Sequence, residues 1–241
     1  MSKGSLHLMP VPLSMDGVVS FEATHGQHAL AVLRSASYFV VENARTARRM
    51  LATLGLGKPI AELHISEIPR DPKPQDWQAL LAPALAGEAL VLLSEAGCPA
   101  VADPGALLVR AAHAAGVNVV PHVGPSAILL ALMASGMNGQ SFAFVGYVPQ
   151  DPAARALRLA ALEARAKSEQ QTQILIETPY RNVALFEACL ATLKPQTQLG
   201  LHLDLSLPEA FNLSRTVAQW RQEKSQLPHL AKRQMVLTFL A

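Results

Sequence analysis

ALVLLSEAGCPAVADPG, residues 89–105, decides the architecture. Its first five residues form an unbroken apolar run, which suits a parallel strand covered on both faces. The loop that follows, Ser94–Gly105, has neither strand nor helix periodicity. Gly97 and Gly105 allow tight turns or close backbone approach, and Pro99 and Pro104 stiffen the chain. Leu107, Leu108, Ala111, Ala112 and Ala115 then recur at helical spacing until Gly116 stops them. Strand, loop and helix together make one βα unit. Its loop falls at the carboxyl end of a strand, where open parallel sheets collect ligands. A loop of this composition offers backbone amides and carbonyls while few side chains intrude.

The same alternation recurs along the chain, which predicts an α/β fold. Strands are expected at Leu6–Met9, Tyr38–Val41, Ala89–Leu93, Val117–Pro121, Phe142–Gly146, Gln173–Ile176, Leu199–Leu203 and Met235–Leu240. A helix over Ala44–Leu54 would bury Ala44, Ala47, Met50, Leu51 and Leu54. Its Arg45, Arg48 and Arg49 read as a solvated face. A helix over Ser126–Ser135 is closed by Gly136. A further helix from Pro152 to about Ala166 is expected to bury Ala153, Leu157, Ala160, Ala161 and Ala164, with Arg155, Arg158 and Arg165 on another side. The proline-rich stretch Ile68–Gln75 reads as a surface loop. The turn His122–Pro125 is the expected boundary. It separates an N-terminal α/β domain over 1–122, with a mainly parallel sheet, from a C-terminal α/β domain over 123–241 with a mixed sheet.

The 241 residues are half hydrophobic and carry a formal charge of +2, which permits an RNA partner without demanding one. The two cysteines, Cys98 and Cys189, are too far apart for a CxxC motif. The N-terminal stretch is interrupted by Pro10 and Pro12, so no signal peptide is expected. The longest apolar run, Ala127–Ala134, is too short to cross a bilayer. A cytoplasmic protein with reduced thiols and no membrane association is expected.

Several chemistries are excluded by pattern. No GxGxxG follows the first strand, and no GxxxxGK[ST], GxSxG or HExxH is present. The histidines have no metal-ligand spacing, so no metal is expected. Proline, glycine and polar residues instead gather after the strands: Pro10–Ser14, Glu42–Arg45, Ser94–Gly105, Val123–Ala127 and Glu177–Asn182. Five such strand ends suggest one shared cleft.

VVENARTARRML at 40–51, LLSEAGCPAVADPGALLVRAA at 92–112, VVPHVGPSAILLALMASG at 119–136, FAFVGYVP at 142–149 and ETPYRN at 177–182 resemble the tetrapyrrole-methylase superfamily of S-adenosylmethionine (SAM) methyltransferases. Within it they look most like the ribosomal RNA small-subunit methyltransferase I branch, which methylates ribose 2′-hydroxyls. The resemblance implies two α/β domains with a SAM-binding cleft between them, a homodimer, and SAM as cofactor. Carried onto this sequence, it implies that Pro10, Ser94, Ala96, Gly97, Cys98, Pro99, Val101, Asp103, Ser126, Ala127 and Glu177 lie about SAM. Glu177 to Arg181 would form a wall in the second domain. The chain departs from the family in three places. Pro10-Val11-Pro12-Leu13-Ser14 replaces a PIGN-like loop, and Asp204–Glu209 replaces a lysine-containing ELTK motif. The family's C-terminal extension is not expected here.

Methyl transfer to a hydroxyl benefits from a base or hydrogen-bond acceptor. Glu42, Glu95, Asp103, Glu177, Tyr180 and Arg181 are the candidates, and no single one is marked out. Each also has a plainer role. Asp103 before Pro104 fits a helix N-cap, and Thr178-Pro179 repeats that pattern. Ser126 could start its helix, and Glu177 could pair with Arg181 across one helical turn. Cys98 fits a small loop residue better than a nucleophile. The expected activity is SAM-dependent methylation of RNA. Methylation of a small molecule such as a tetrapyrrole, and a non-catalytic SAM-binding module, are the alternatives.

Overall fold

Strands β1 (Ser5–Met9), β2 (Tyr38–Val41), β3 (His64–Glu67), β4 (Leu90–Leu93) and β5 (Asn118–Pro121) form one sheet in the order β3-β2-β4-β1-β5. All neighbours in it are parallel. The computed structural model describes every residue except Met1, 15–18 and 224–226, so part of the N-terminal stretch, where no signal peptide is expected, lies outside the described residues. The chain divides into two units, Met1–Ser126 and Ala127–Ala241.

Alternation along β4 explains the layering of the first unit. Leu90 and Leu92 join one core with Leu6, Val40, Trp77, Leu81 and Leu108. Val91 and Leu93 join the opposite core with Phe21, Leu33, Phe39 and Leu51. A strand with helices on both faces needs apolar residues at every position, which is what the run at 89–93 supplies. The helices are α1 (Phe21–Thr24), α2 (Gln27–Ser35), α3 (Ala44–Leu51), α4 (Pro74–Leu85) and α5 (Ala106–Ala114). The α3 face follows the sequence pattern: Ala44, Ala47 and Leu51 are buried. Leu54 is buried too, in the 3-10 turn Ala52–Leu54 that continues α3. In α5 only Leu108 and Ala112 are buried, and Leu107 is exposed. The surface loop expected at 68–75 ends earlier, because Pro74 opens α4 and the Asp76 carboxylate accepts the Lys73 N–H at 2.8 Å.

The second unit contains α6 (Ala127–Ser135), β6 (Phe142–Gly146), α7 (Pro152–Glu169), β7 (Thr172–Glu177), α8 (Asn182–Thr192), β8 (Gln198–Leu203), β9 (Phe211–Thr216), α9 (Val217–Gln222) and β10 (Met235–Leu240). Its sheet has the order β6-β7-β10-β8-β9. The β6–β7 pair is parallel and the other pairs are antiparallel.

Helix α7 corrects the expected face. Ala153, Leu157, Ala160, Ala161 and Ala164 are all exposed, and Arg155, Leu159, Leu162, Glu163 and Ala166 are buried. Alanine gains little from burial, so Leu159 and Leu162 set the rotation. Glu163 fixes it further, because its Oε1 accepts the Lys194 N–H at 2.7 Å and the Thr197 hydroxyl. Arg165 does lie on the exposed side, paired with Glu169 at 3.1 Å.

Gly200 sits on β8 opposite Thr238 and Ser214. An added Cβ would lie 2.3 Å from Thr238 Oγ1 and 2.7 Å from His202 Nε2, atoms that bond each other at 3.1 Å. Gly200→Ala is therefore expected to destabilise the chain by about 1–3 kcal/mol through overpacking, read as a lower urea midpoint.

Candidate functional site

The carboxyl ends of β1, β4 and β5 converge on one another in the first unit. Beyond β1 the chain enters Pro10–Ser14, and beyond β4 it enters 94–105. Val11 N–H donates to the Gly97 carbonyl at 2.8 Å, and Gly97 N–H donates to the Val11 carbonyl at 3.0 Å. Ser94 Oγ–H adds a third bond to the Gly97 carbonyl at 2.7 Å. Gly97 has φ +73°, and a Cβ there would meet Leu13 Cδ2 at 3.3 Å. Beyond β5, Gly124 packs on Pro10 so closely that a Cβ would lie 2.5 Å from the proline Cβ. Cys98 Sγ–H points to the Pro125 carbonyl at 3.5 Å. His25 braces the same place, with Nε2 2.8 Å from the Pro10 carbonyl.

The 94–105 loop is unusual in its backbone. Ala100 and Ala102 have φ of 65° and 62°, a left-handed conformation that costs an L-residue about 1–2 kcal/mol. Gly105 has φ +121°, and a Cβ there would lie 2.9 Å from Leu92 Cδ2. Strain of this kind persists where surrounding contacts over-determine it, and it clusters at ligand sites.

Asp103 is not the cap that the sequence suggests. Helix α5 begins at Ala106 with Gly105 as N-cap and no side-chain cap bond. Pro104 and Gly105, the latter with φ +121° at the N-cap position, separate Asp103 from the helix, and its carboxyl lies among those of Glu95 and Glu42. Glu42 ends up beside them because it follows β2 and precedes Asn43, whose Oδ1 caps α3 through the Thr46 N–H at 3.0 Å. One Glu42 oxygen, Oε1, is buried without a hydrogen-bond partner. Burial, then Asp103, then Glu95 push the Glu42 carboxyl up to about 7, and the Glu95 backbone N–H opposes them. Burial and Glu95 push Asp103 up to about 6. Burial also raises the Cys98 thiol, opposed by a hydrogen bond with Ser126, so it stays protonated and un-nucleophilic at neutral pH.

The remaining candidates lie in the second unit. Glu177 ends β7 and is buried. Its Oε1 accepts from Arg181 Nη2 at 2.7 Å, Arg181 Nε at 3.0 Å and the Thr178 N–H at 2.7 Å. The pair expected between Glu177 and Arg181 is present, across a non-helical turn. Thr178 is not a helix cap, because α8 starts at Asn182 and Arg181 takes the N-cap position. Thr178 Oγ1 instead accepts from Arg181 Nε at 3.1 Å. Tyr180 is 84% exposed. Asp204, which opens the stretch lacking the family lysine, pairs with Arg233, and Arg233 Nη2 reaches the Glu209 carbonyl at 2.8 Å. Ser126 immediately precedes α6 and Ala127 opens it. No cluster of metal-ligating side chains occurs among the described residues.

Sequence patterns did not reveal His25 as a brace, Gly124 as a contact on Pro10, or the coupling of Glu42 to Asp103. The only sign was that Gly124, Glu42 and Asp103 follow strands; His25, at the C-cap of α1, carried none. Folding raises the Glu42 carboxyl above its ordinary 4.5, so the folded chain binds that proton more tightly than the unfolded chain. The associated stability is full below 4.5 and is lost as pH rises through about 7. Glu42→Gln is expected to flatten this decline and to raise the urea midpoint relative to the native chain at pH about 8.

Over 180 residues the chain is 37% identical to the ribosomal RNA small subunit methyltransferase I of Xylella fastidiosa (strain Temecula1), covering 74% of the chain and 60% of the relative. The Pasteurella multocida (strain Pm70) protein of the same name is 31% identical over 212 residues, covering 88% of the chain and 72% of the relative. The chain thus spans about 60% of the length of the first of these relatives. The crystal structure of a Thermus thermophilus uroporphyrin-III C-methyl transferase, complexed with S-adenyl homocysteine, is 16% identical with a TM-score of 0.54, over 98% of this chain and 97% of that one. This likeness carries the fold, and it agrees with the tetrapyrrole-methylase-like α/β architecture expected from the loops. No family model matches the chain.

Proposed function

The chain belongs to the ribosomal RNA small subunit methyltransferase I family, and from that membership we propose that it is a SAM-dependent methyltransferase acting on RNA, at a ribose 2′-hydroxyl. The observation that carries this proposal is the meeting of three strand-end segments about the bonded pair Val11 and Gly97, with Glu42, Glu95 and Asp103 beside them. The same proposal makes the protein a cytoplasmic homodimer with an N-terminal domain over 1–122 and a C-terminal domain over 123–241.

The residues fit a cationic nucleoside cofactor. Glu42 Oε1 is buried and unpartnered, and the carboxyls of Glu42 and Asp103 are held partly protonated by burial and by neighbouring acids. A positive group nearby would relieve that repulsion. Gly97 and Gly124 let their backbones approach Leu13 and Pro10 more closely than a side chain would permit, which holds the strand-end segments together. SAM would supply an activated methyl group on a sulfonium, transferred by in-line displacement without a metal. Pro10, Ser94, Ala96, Gly97, Cys98, Pro99 and Val101 would hold it chiefly through backbone groups, with Asp103, Ser126, Ala127 and Glu177 completing the set. Glu42 would accept the proton of the attacking hydroxyl, since a carboxyl near 7 is matched to neutral conditions. Tyr180 and Arg181 would contact the acceptor.

Radiolabelled methyl transfer from SAM into total RNA, run beside transfer into a small-molecule extract, tests the proposal. Label in RNA is expected; label only in the extract would move the acceptor to a small molecule, and label in neither would leave a binding module. With RNA as acceptor, kcat/KM should rise with pH through about 7, because it reports the free protein, in which the base must be deprotonated. Glu42→Gln should lower kcat by roughly 10²-fold, the low end of general-base contributions, with SAM binding retained in calorimetry.

A further inference from the structure

Three histidines gather on the first unit, and none belongs to the proposed chemistry. His7 lies in the middle of β1, and His122 follows β5. His7 Nδ1 and His122 Nε2 are 3.0 Å apart, with ring centroids at 5.2 Å. His28, on α2, stacks on His122 with centroids at 5.8 Å. The backbone also ties this corner down, since His122 N–H donates to the Leu8 carbonyl at 3.0 Å.

A ring-to-ring hydrogen bond needs one N–H and one lone pair. It survives with both rings neutral or with one protonated. With both protonated, two N–H groups face each other and the bond is lost. No carboxylate among the described residues answers the second charge. The groups that face the pair are His28 from α2 and His25 from the α1–α2 junction. Strands β1, β4 and β5 bring no further titratable side chain. On α2, Arg34 is turned to Glu22 at 2.8 Å and to the Leu54 carbonyl at 3.0 Å. Burial, then the neighbouring histidines, lower both His7 and His122 from the ordinary 6.5.

The position of His122 gives this pair a consequence. It opens the segment 122–126, in which Gly124 lies on Pro10 and Pro125 accepts from Cys98. We propose that the His7–His122 pair is an acid-operated latch: the second proton breaks the ring-to-ring bond, frees 122–126 from β1, and loosens its hold on the 94–105 loop. Because folding lowers these histidines, the stability they contribute is present above 6.5 and is lost as pH falls through the lowered values.

Amide hydrogen exchange on the whole chain, without cofactor or RNA, tests the latch independently of any methyl transfer. The protection factor of the His122 amide should fall roughly tenfold between pH about 7.5 and about 5.5, the effect of losing one hydrogen bond. The Leu201 amide, in the second unit, should keep its protection. In His7→Gln the fall at His122 should shrink below about twofold, because an uncharged amide replaces one titrating ring. His28→Asn, at an exposed position, should give a fall smaller than the native one, because the ring that opposes protonation of the pair is gone. A native chain with no fall, or an undiminished fall in these variants, overturns the latch. If His7→Gln does not fold, His28→Asn decides alone.

Discussion

The two backbone hydrogen bonds between Val11 and Gly97 join segments that would otherwise part company. Strands β1 and β4 run parallel as neighbours, yet their loops leave the sheet toward different helices. The bonds make a single antiparallel bridge above a parallel pair, so the 94–105 segment must double back within a few residues of Leu93. Left-handed φ at Gly97 makes that reversal possible, and the Ser94 hydroxyl closes it. Once the loop is pinned there, its remaining course includes Ala100 and Ala102 in left-handed conformations that neither alanine would choose alone. Packing of Gly105 against Leu92 holds the far end. The loop is thus fixed at both ends with its backbone turned away from regular structure.

Glu42, Glu163 and Glu177 show how partners separate a reactive carboxylate from a structural one. Glu163 Oε1 accepts from Lys194 N–H and the Thr197 hydroxyl, and Glu177 Oε1 accepts from Arg181 and Thr178. Each is a fastener between elements. Glu42 Oε1 has no such partner, and its nearest charged neighbours are acids. A carboxyl in that position holds its proton to about 7, which suits it to exchange a proton with a ligand.

Departures from sequence expectation follow a physical order. β3 and β9 lie at sheet edges, with one strand neighbour each. An edge strand need not be apolar on both faces, so HISE and FNLSRT carry no continuous hydrophobic run. α8 is apolar over most of its length, and its sequence hides the buried face of Leu185, Phe186, Cys189 and Leu190 because Val183, Ala184 and Ala191 on the exposed face are apolar too. In α7 four alanines and Leu157 suggested the wrong face; alanine is nearly indifferent to burial, and Leu159 and Leu162 with Glu163 decided the rotation against the lone Leu157.

The sequence by itself determined the α/β class, the buried strands and the loop between Leu93 and Ala106 as the segment to watch. Those features are local: an unbroken apolar run, glycines and prolines at a strand end, and a helical stripe follow from short-range geometry and burial. Only the tertiary structure decided what that loop does. The strand order brings Val11 to Gly97 and Gly124 to Pro10, and it sets Glu42 against Asp103 across the ends of different strands. It also changed Asp103 from a helix cap into a member of an acidic group, because Gly105, with φ +121°, takes the N-cap position of α5. Contacts between residues far apart in sequence depend on how strands are ordered in the sheet, and no local pattern encodes that order.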